Sequence, residues 1–199
     1  MDVIHLSTRS PLEGDDCAVL YGKGPSYDPG LFKPFATRIA INDAWTEDMD
    51  FVALRDWTTA ERLKNCPLPA LVEQRVWFRY PPLWPRRALA WYFDGMRVKG
   101  TNVDSESVPG RKLGVGTATA VLQLLGQAGC KEVWLNGFDA FWGGEIRYHP
   151  VFEGRGLSHE DYAEQFPISG TPDEQAALVR ESMRYVADEY GITLRNIHE

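Results

Sequence analysis

Cysteine is scarce in this chain: Cys17, Cys66 and Cys130 are odd in number and far apart. That spacing excludes a disulfide framework and supplies no paired ligands for a zinc site, so the thiols read as reduced, buried small hydrophobes. Positive charge is also short, with a net charge of −7. No overall field would draw the chain to a nucleic-acid backbone, and nucleic acid is not an expected partner. Long hydrophobic runs are missing. None approaches the roughly 18 apolar residues of a membrane span, and the run in Met1–Arg9 is too short for the core of a secretion signal. The expectation is a soluble, cytoplasmic protein without internal repeats or low-complexity tracts.

A length of 199 residues with 44% hydrophobic residues suits one α/β domain with a sizeable core. Apolar runs that end in polar residues recur along it. Cys17-Ala-Val-Leu-Tyr21 leads into Gly22-Lys23-Gly24-Pro25-Ser26, Thr37-Arg-Ile-Ala-Ile41 into Asn42 and Asp43, and Phe51-Val-Ala-Leu54 into Arg55 and Asp56. Lys131-Glu-Val-Trp-Leu135 leads into Asn136, Gly137 and Asp139. Continuous runs of this kind mark strands buried on both faces of a parallel sheet. Further strands are expected at Val76–Tyr80 and Ile192–Asn196, with a short edge strand at Val3–Leu6. Helices are expected from Thr59 to Lys64, capped by Asp56 or Thr58, from Gly116 to a stop at Gly129, and from Pro172 to a stop at Gly191. Two long polar and aromatic stretches, about 81–112 and 140–170, read as lid or binding loops. The fold class that follows is α/β: residues 1–199 as a single Rossmann-like domain, a mainly parallel twisted sheet flanked by helices, with long loops at the strand carboxyl ends.

Those carboxyl ends are where open α/β sheets bind ligands. Gly22 and Gly24 allow close backbone approach, Lys23 adds a cation, Pro25 stiffens the turn, and Ser26 offers a hydroxyl to a helix or a phosphate oxygen. The turn reads as a phosphate or nucleotide loop. It is neither the dinucleotide fingerprint nor the P-loop, because Pro25 stands where those motifs continue. A plain strand-to-helix turn would carry the same letters, and Asn42, Asp43, Asp56, Asn136 and Asp139 could equally cap turns. Gly116 and Thr117 open a helix whose free N–H groups favour an anion. His149 and His159 lack the spacing of a helical metal pair, so no metal site is expected, and His149 with Tyr148 beside it is the candidate acid or base.

Three segments in order, Val19-Leu-Tyr-Gly-Lys-Gly-Pro-Ser26, Ile39-Ala-Ile-Asn-Asp43, and Gly116-Thr117 with the helix leading to Val133-Trp-Leu-Asn-Gly-Phe-Asp139, resemble the core of the Campylobacter-type bacterial sialyltransferases and of the related pterin diphosphokinase-like family. The resemblance implies a nucleotide-sugar-dependent glycosyltransferase that has no tightly bound cofactor and takes its donor between these loops. On that basis Gly22 to Ser26 would line phosphates and ribose, Asn42 would contact the nucleotide, Gly116 and Thr117 would lie against it, and Asp139 would begin the base-side or acceptor-side loop. Two positions depart from the pattern. Lys23 stands where the sialyltransferases carry Asn, and Pro167-Ile-Ser-Gly-Thr171 lacks the His that serves as their base. The sibling family implies an alternative, a Mg²⁺-dependent diphosphokinase using Asp43, Asp56 or Asp139, and the missing His leaves a third, a non-catalytic nucleotide-binding protein.

Overall fold

A computed structural model of the chain describes residues 16–30, 36–54, 59, 62–63, 66–73, 88–91, 116–139, 148–155 and 172–196. The expected strands at Val3–Leu6 and Val76–Tyr80, and the candidate Asp56, lie outside these residues. The described strands are β1 (Cys17–Tyr21), β2 (Thr37–Ile41), β3 (Phe51–Leu54), β4 (Ala70–Glu73), β5 (Ala88–Trp91), β6 (Glu132–Asn136) and β7 (Thr193–Asn196). They form one sheet in the order β5-β4-β3-β2-β1-β6-β7, and every neighbouring pair is parallel. Helix α1 (Thr117–Gln127) precedes β6, and α2 (Pro172–Tyr190) precedes β7. The chain thus starts at the centre, steps outward to β5, and returns to the other side of β1. That reversal puts a topological switch point between β1 and β6.

The apolar runs are continuous because both faces of the sheet are covered. Successive side chains of a strand point to opposite faces. Ala18 and Leu20 of β1 join Ile39, Ala53, Val133 and Leu135 in a core shared with Val121, Leu122 and Leu125 of α1 and Met183 and Val186 of α2. Val19 and Tyr21 join Ala40, Val52 and Leu54 on the other side, against Tyr27, Ala44, Met49, Leu63 and Phe152. Both helices end in the same way. Cys130 N–H donates to Leu125 O at 3.0 Å past α1, and Ile192 N–H to Ala187 O at 2.8 Å past α2, each around a left-handed glycine, Gly129 or Gly191. These stops fix where each helix turns back into its strand, and so hold the helix N-termini at the carboxyl rim of the sheet.

The α/β architecture with its parallel sheet is as the sequence implies. Ala70–Glu73 is a strand that the sequence reading did not single out, pairing with β3 through Val52 and Ala70. One placement needs correcting. Ala88–Trp91 is a further strand within a stretch read as part of a lid, in register with β4 from Ala70 and Ala88 onward. Among the described residues, no helix is long and apolar enough to cross a membrane.

Candidate functional site

The exits of β1 and β6 meet at the switch point. Gly22 N–H donates to Asn136 O at 2.7 Å and Gly24 N–H to Gly137 O at 2.8 Å, so the first turn lies directly on the second. A Cβ on Gly22 would stand 2.3 Å from Gly137 O, and one on Gly24 would stand 2.0 Å from Asp139 Oδ2. Gly137 holds φ at +74°, a conformation glycine adopts without a Cβ clash. Asp139, buried, accepts from Ser26 N–H at 3.0 Å and from the Ser26 hydroxyl at 2.7 Å. Hydrogen bonds to a charged group are worth about 1.5–3 kcal/mol each. Pro25 suits the second position of the turn closed by Tyr27 N–H on Gly24 O at 3.0 Å, where its fixed φ is already correct. Fully buried Asn136 grips the backbone of Asp28 twice, donating through Nδ2 to its carbonyl and accepting its N–H at Oδ1, each at 2.8 Å.

Gly22, Gly24, Ser26, Asn136, Gly137 and Asp139 are therefore brought together at the strand ends. Their small size and polar atoms fit one turn to the other. A second group of side chains lies beside this lock, at the end of β2. Asn42 sits at φ +55°, which Asn tolerates better than most residues, and its Oδ1 accepts from Thr117 Oγ1 at 3.2 Å. That bond ties the end of β2 to the first residue of α1. Asp43, 5% exposed, takes the Arg62 guanidinium on both oxygens at 2.8–3.2 Å. Lys23 Nζ stands 4.0 Å from Asp43 Oδ2, 3.3 Å from Arg155 O and 4.1 Å from the centre of the Tyr148 ring. Burial pushes the Lys23 ammonium below the ordinary lysine range; Asp43 opposes that and Arg62 adds to it.

Residues 148–155 strap these groups down. His149 N–H donates to Lys23 O at 2.8 Å, and Arg155 Nη1 donates to Trp45 O at 2.7 Å. The Tyr27 ring meets His149 edge-on at 5.3 Å and fully buried Phe152 at 4.7 Å. His149 Nδ1 accepts Val151 N–H at 3.2 Å, capping the short 3-10 turn Pro150–Phe152. A neutral imidazole that accepts at Nδ1 carries its proton on Nε2. In this arrangement His149 offers a donor outward, and taking up a proton means releasing Val151. Helix α1 follows Gly116, which gives no side-chain cap, and has no acidic residue in its first turn. Thr119, in that turn and 1% exposed, has a hydroxyl without a hydrogen-bond partner among the described residues.

No family model, curated protein or solved structure matches the chain. Its chemistry is read from its own geometry. Among the candidates, Lys23, Asn42, Asp43, Gly116, Thr117, Tyr148 and His149 fall on the β1–β2 side of the lock, joined through the contacts above. Arg62, Arg155 and Trp45 belong to the same group and carry no motif. Arg62 could have been singled out only as the cation within an expected helix, three residues after Thr59, whose hydroxyl accepts from it at 3.0 Å. Among the described residues, no group of three His, Cys, Asp or Glu side chains is placed to hold a metal ion.

Two outcomes follow from this geometry. Gly24→Ala should lose about 1–3 kcal/mol of stability or more in urea unfolding, because backbone and carboxylate must move, whereas Gly116→Ala, whose Cβ meets nothing within 4 Å, should lose under about 1 kcal/mol. Equal losses would contradict the turn-on-turn fit. Long-range nitrogen–proton correlation spectra should show neutral His149 as the Nε2–H tautomer; an Nδ1–H signature would remove the Val151 cap.

Proposed function

We propose that the chain is a nucleotide-sugar-dependent glycosyltransferase, sialyltransferase-like in its core, that works in the cytoplasm on a small phosphorylated donor. The observation that carries this reading is the uncapped start of α1, with the Thr119 hydroxyl in its first turn unpartnered among the described residues, joined through Thr117 and Asn42 to Asp43 and the two cations on it, Lys23 and Arg62. Such a start stabilises a phosphate through its N–H groups and the positive end of the helix dipole.

In glycosyl transfer the sugar–phosphate bond breaks as an acceptor hydroxyl attacks, and negative charge grows on the leaving phosphate. Donors already aimed at that charge lower the barrier without reorganising. The N–H groups of α1 and the Nζ–H groups of Lys23 supply them, and the Nε2–H of His149 suits the same role. Removal of the acceptor's proton, expected of His149, requires its Nδ1 to let go of Val151 or a second base. Of the carboxylates that the diphosphokinase alternative would offer to Mg²⁺, Asp43 is held by Arg62 on both oxygens and Asp139 by Ser26, and Asp56 lies outside the described residues. The engagement of Asp43 and Asp139 supports glycosyl transfer over that reading.

The test is a panel of CMP-, UDP- and GDP-sugars with their free nucleotides, with and without EDTA, read by melting temperature and by nucleotide release. One nucleotide class should raise the melting temperature, and its sugar should release nucleotide in the presence of EDTA. Thr117→Asp places a charge that the helix dipole welcomes but a phosphate opposes. It should weaken that nucleotide by about tenfold or more, which is about 1.4 kcal/mol, and change the stability of the unliganded protein by no more than about 1 kcal/mol, since the dipole gain offsets the lost hydroxyl bond to Asn42. No shift with any nucleotide would overturn the reading, and release abolished by EDTA would favour the diphosphokinase.

A further inference from the structure

Lys23 has a setting that a simple phosphate-pairing role does not call for. Its side chain is 15% exposed, and the nearest carboxylate, Asp43, stands 4.0 Å away with both oxygens already on Arg62. Its one hydrogen bond is to a neutral carbonyl, Arg155 O at 3.3 Å, and its other close neighbour is the Tyr148 ring. A lysine placed out of water beside another cation is the arrangement that turns an ammonium into a nucleophilic amine. Lys23 is also near the anion-holding start of α1, since Asn42, bonded to Thr117, is the chain neighbour of Asp43.

We propose that Lys23 is a nucleophilic amine and that the crevice takes a second class of ligand, small phosphorylated aldehydes or ketones, held as an imine on Nζ. The inference rests on the phosphate-holding role given above to the start of α1, and it adds the covalent step. The lone pair of the neutral amine attacks the carbonyl carbon and a C–N bond forms. The carbonyl oxygen takes up both amine protons in turn and leaves as water, giving C=N, with no oxidant or reductant required. Arg62 stays paired with Asp43 while Nζ is neutral, and the N–H groups at the start of α1 remain to meet the ligand's phosphate. Each unit by which burial lowers the amine raises its neutral fraction at pH 7 about tenfold, the direction already set by the surroundings of Lys23.

The test uses the intact wild-type chain and pyridoxal 5′-phosphate as probe, with borohydride to trap the imine and peptide mapping to locate it. Lys23 should carry about tenfold more label than any other lysine at neutral pH, excess inorganic phosphate should suppress that label, and pyridoxal without its phosphate should give far less. Lys23→Arg, which keeps the charge and removes the nucleophile, should lose the label. Label spread over many lysines, or Lys23 label indifferent to phosphate, overturns the proposal. Nucleotide binding measured on the same sample separates the two ideas: a melting shift without Lys23 label removes only the imine, and Lys23 label without any nucleotide shift removes only the transferase.

Discussion

Two stretches of backbone touch where no side chain would fit, and the arrangement of the rim depends on that contact. Gly22 and Gly24 lie on the Asn136–Gly137 backbone within hydrogen-bonding distance, and Asp139 closes the junction by taking both donors of Ser26. Because β1 and β6 are parallel neighbours in register from Cys17 and Glu132 to Tyr21 and Asn136, both chains leave the sheet at the same level. The turns must then either part around a ligand or pack on one another. Here they pack. The switch point, where a doubly wound sheet would ordinarily open, is filled by protein, and the polar chemistry is displaced toward the end of β2 and the start of α1.

That displacement accounts for the charge pattern. Asp43 is nearly buried, and a buried carboxylate needs a well-formed partner, which Arg62 provides in a two-pronged pair. Such a pair contributes little net stability but fixes position, since removing Arg62 leaves Asp43 charged and buried. Lys23 is thereby left the longer contact with Asp43, at 4.0 Å, and Arg155 lies over Trp45 at 5.0 Å. A chain with a net charge of −7 has thus gathered two cations, Lys23 and Arg62, on one carboxylate. The strap from Tyr148 to Arg155 keeps it there, tying His149 to the backbone of Lys23 and burying Phe152 beneath.

Much of the scaffold was legible in the letters. The runs at Cys17, Thr37, Phe51 and Glu132 are apolar without a break because both faces of the sheet are covered, and each ends where polar atoms are tolerated. Ala70–Glu73 and Ala88–Trp91 were not legible for a physical reason: four residues dominated by alanine and leucine state no preference of their own and become strand by pairing with β3 and with one another. At the site, the convergence of Lys23, Asn42, Asp43 and Thr117 could be anticipated from their places after strands or at a helix start. The contact of one turn with the other could not. A residue without a side chain makes room equally for a ligand and for another backbone, and the Gly137 backbone that meets these glycines comes from more than a hundred positions away. Arg62 and Arg155 escaped notice because an isolated cation in a polar segment has no pattern until its partner is known.

The central claim is a division of labour: the Gly22–Ser26 turn is committed to the fold, and the start of α1 with Lys23 is left to meet a phosphate. Amide chemical shifts of the uniformly labelled chain, followed during titration with CMP and UMP, test it most directly. The N–H signals of Thr117, Ala118, Thr119 and Lys23 should move most, while those of Gly22, Gly24 and Ser26, already bonded to Asn136, Gly137 and Asp139, should move least. The largest changes at Gly22, Gly24 and Ser26 with α1 unmoved, or no change anywhere, would contradict it.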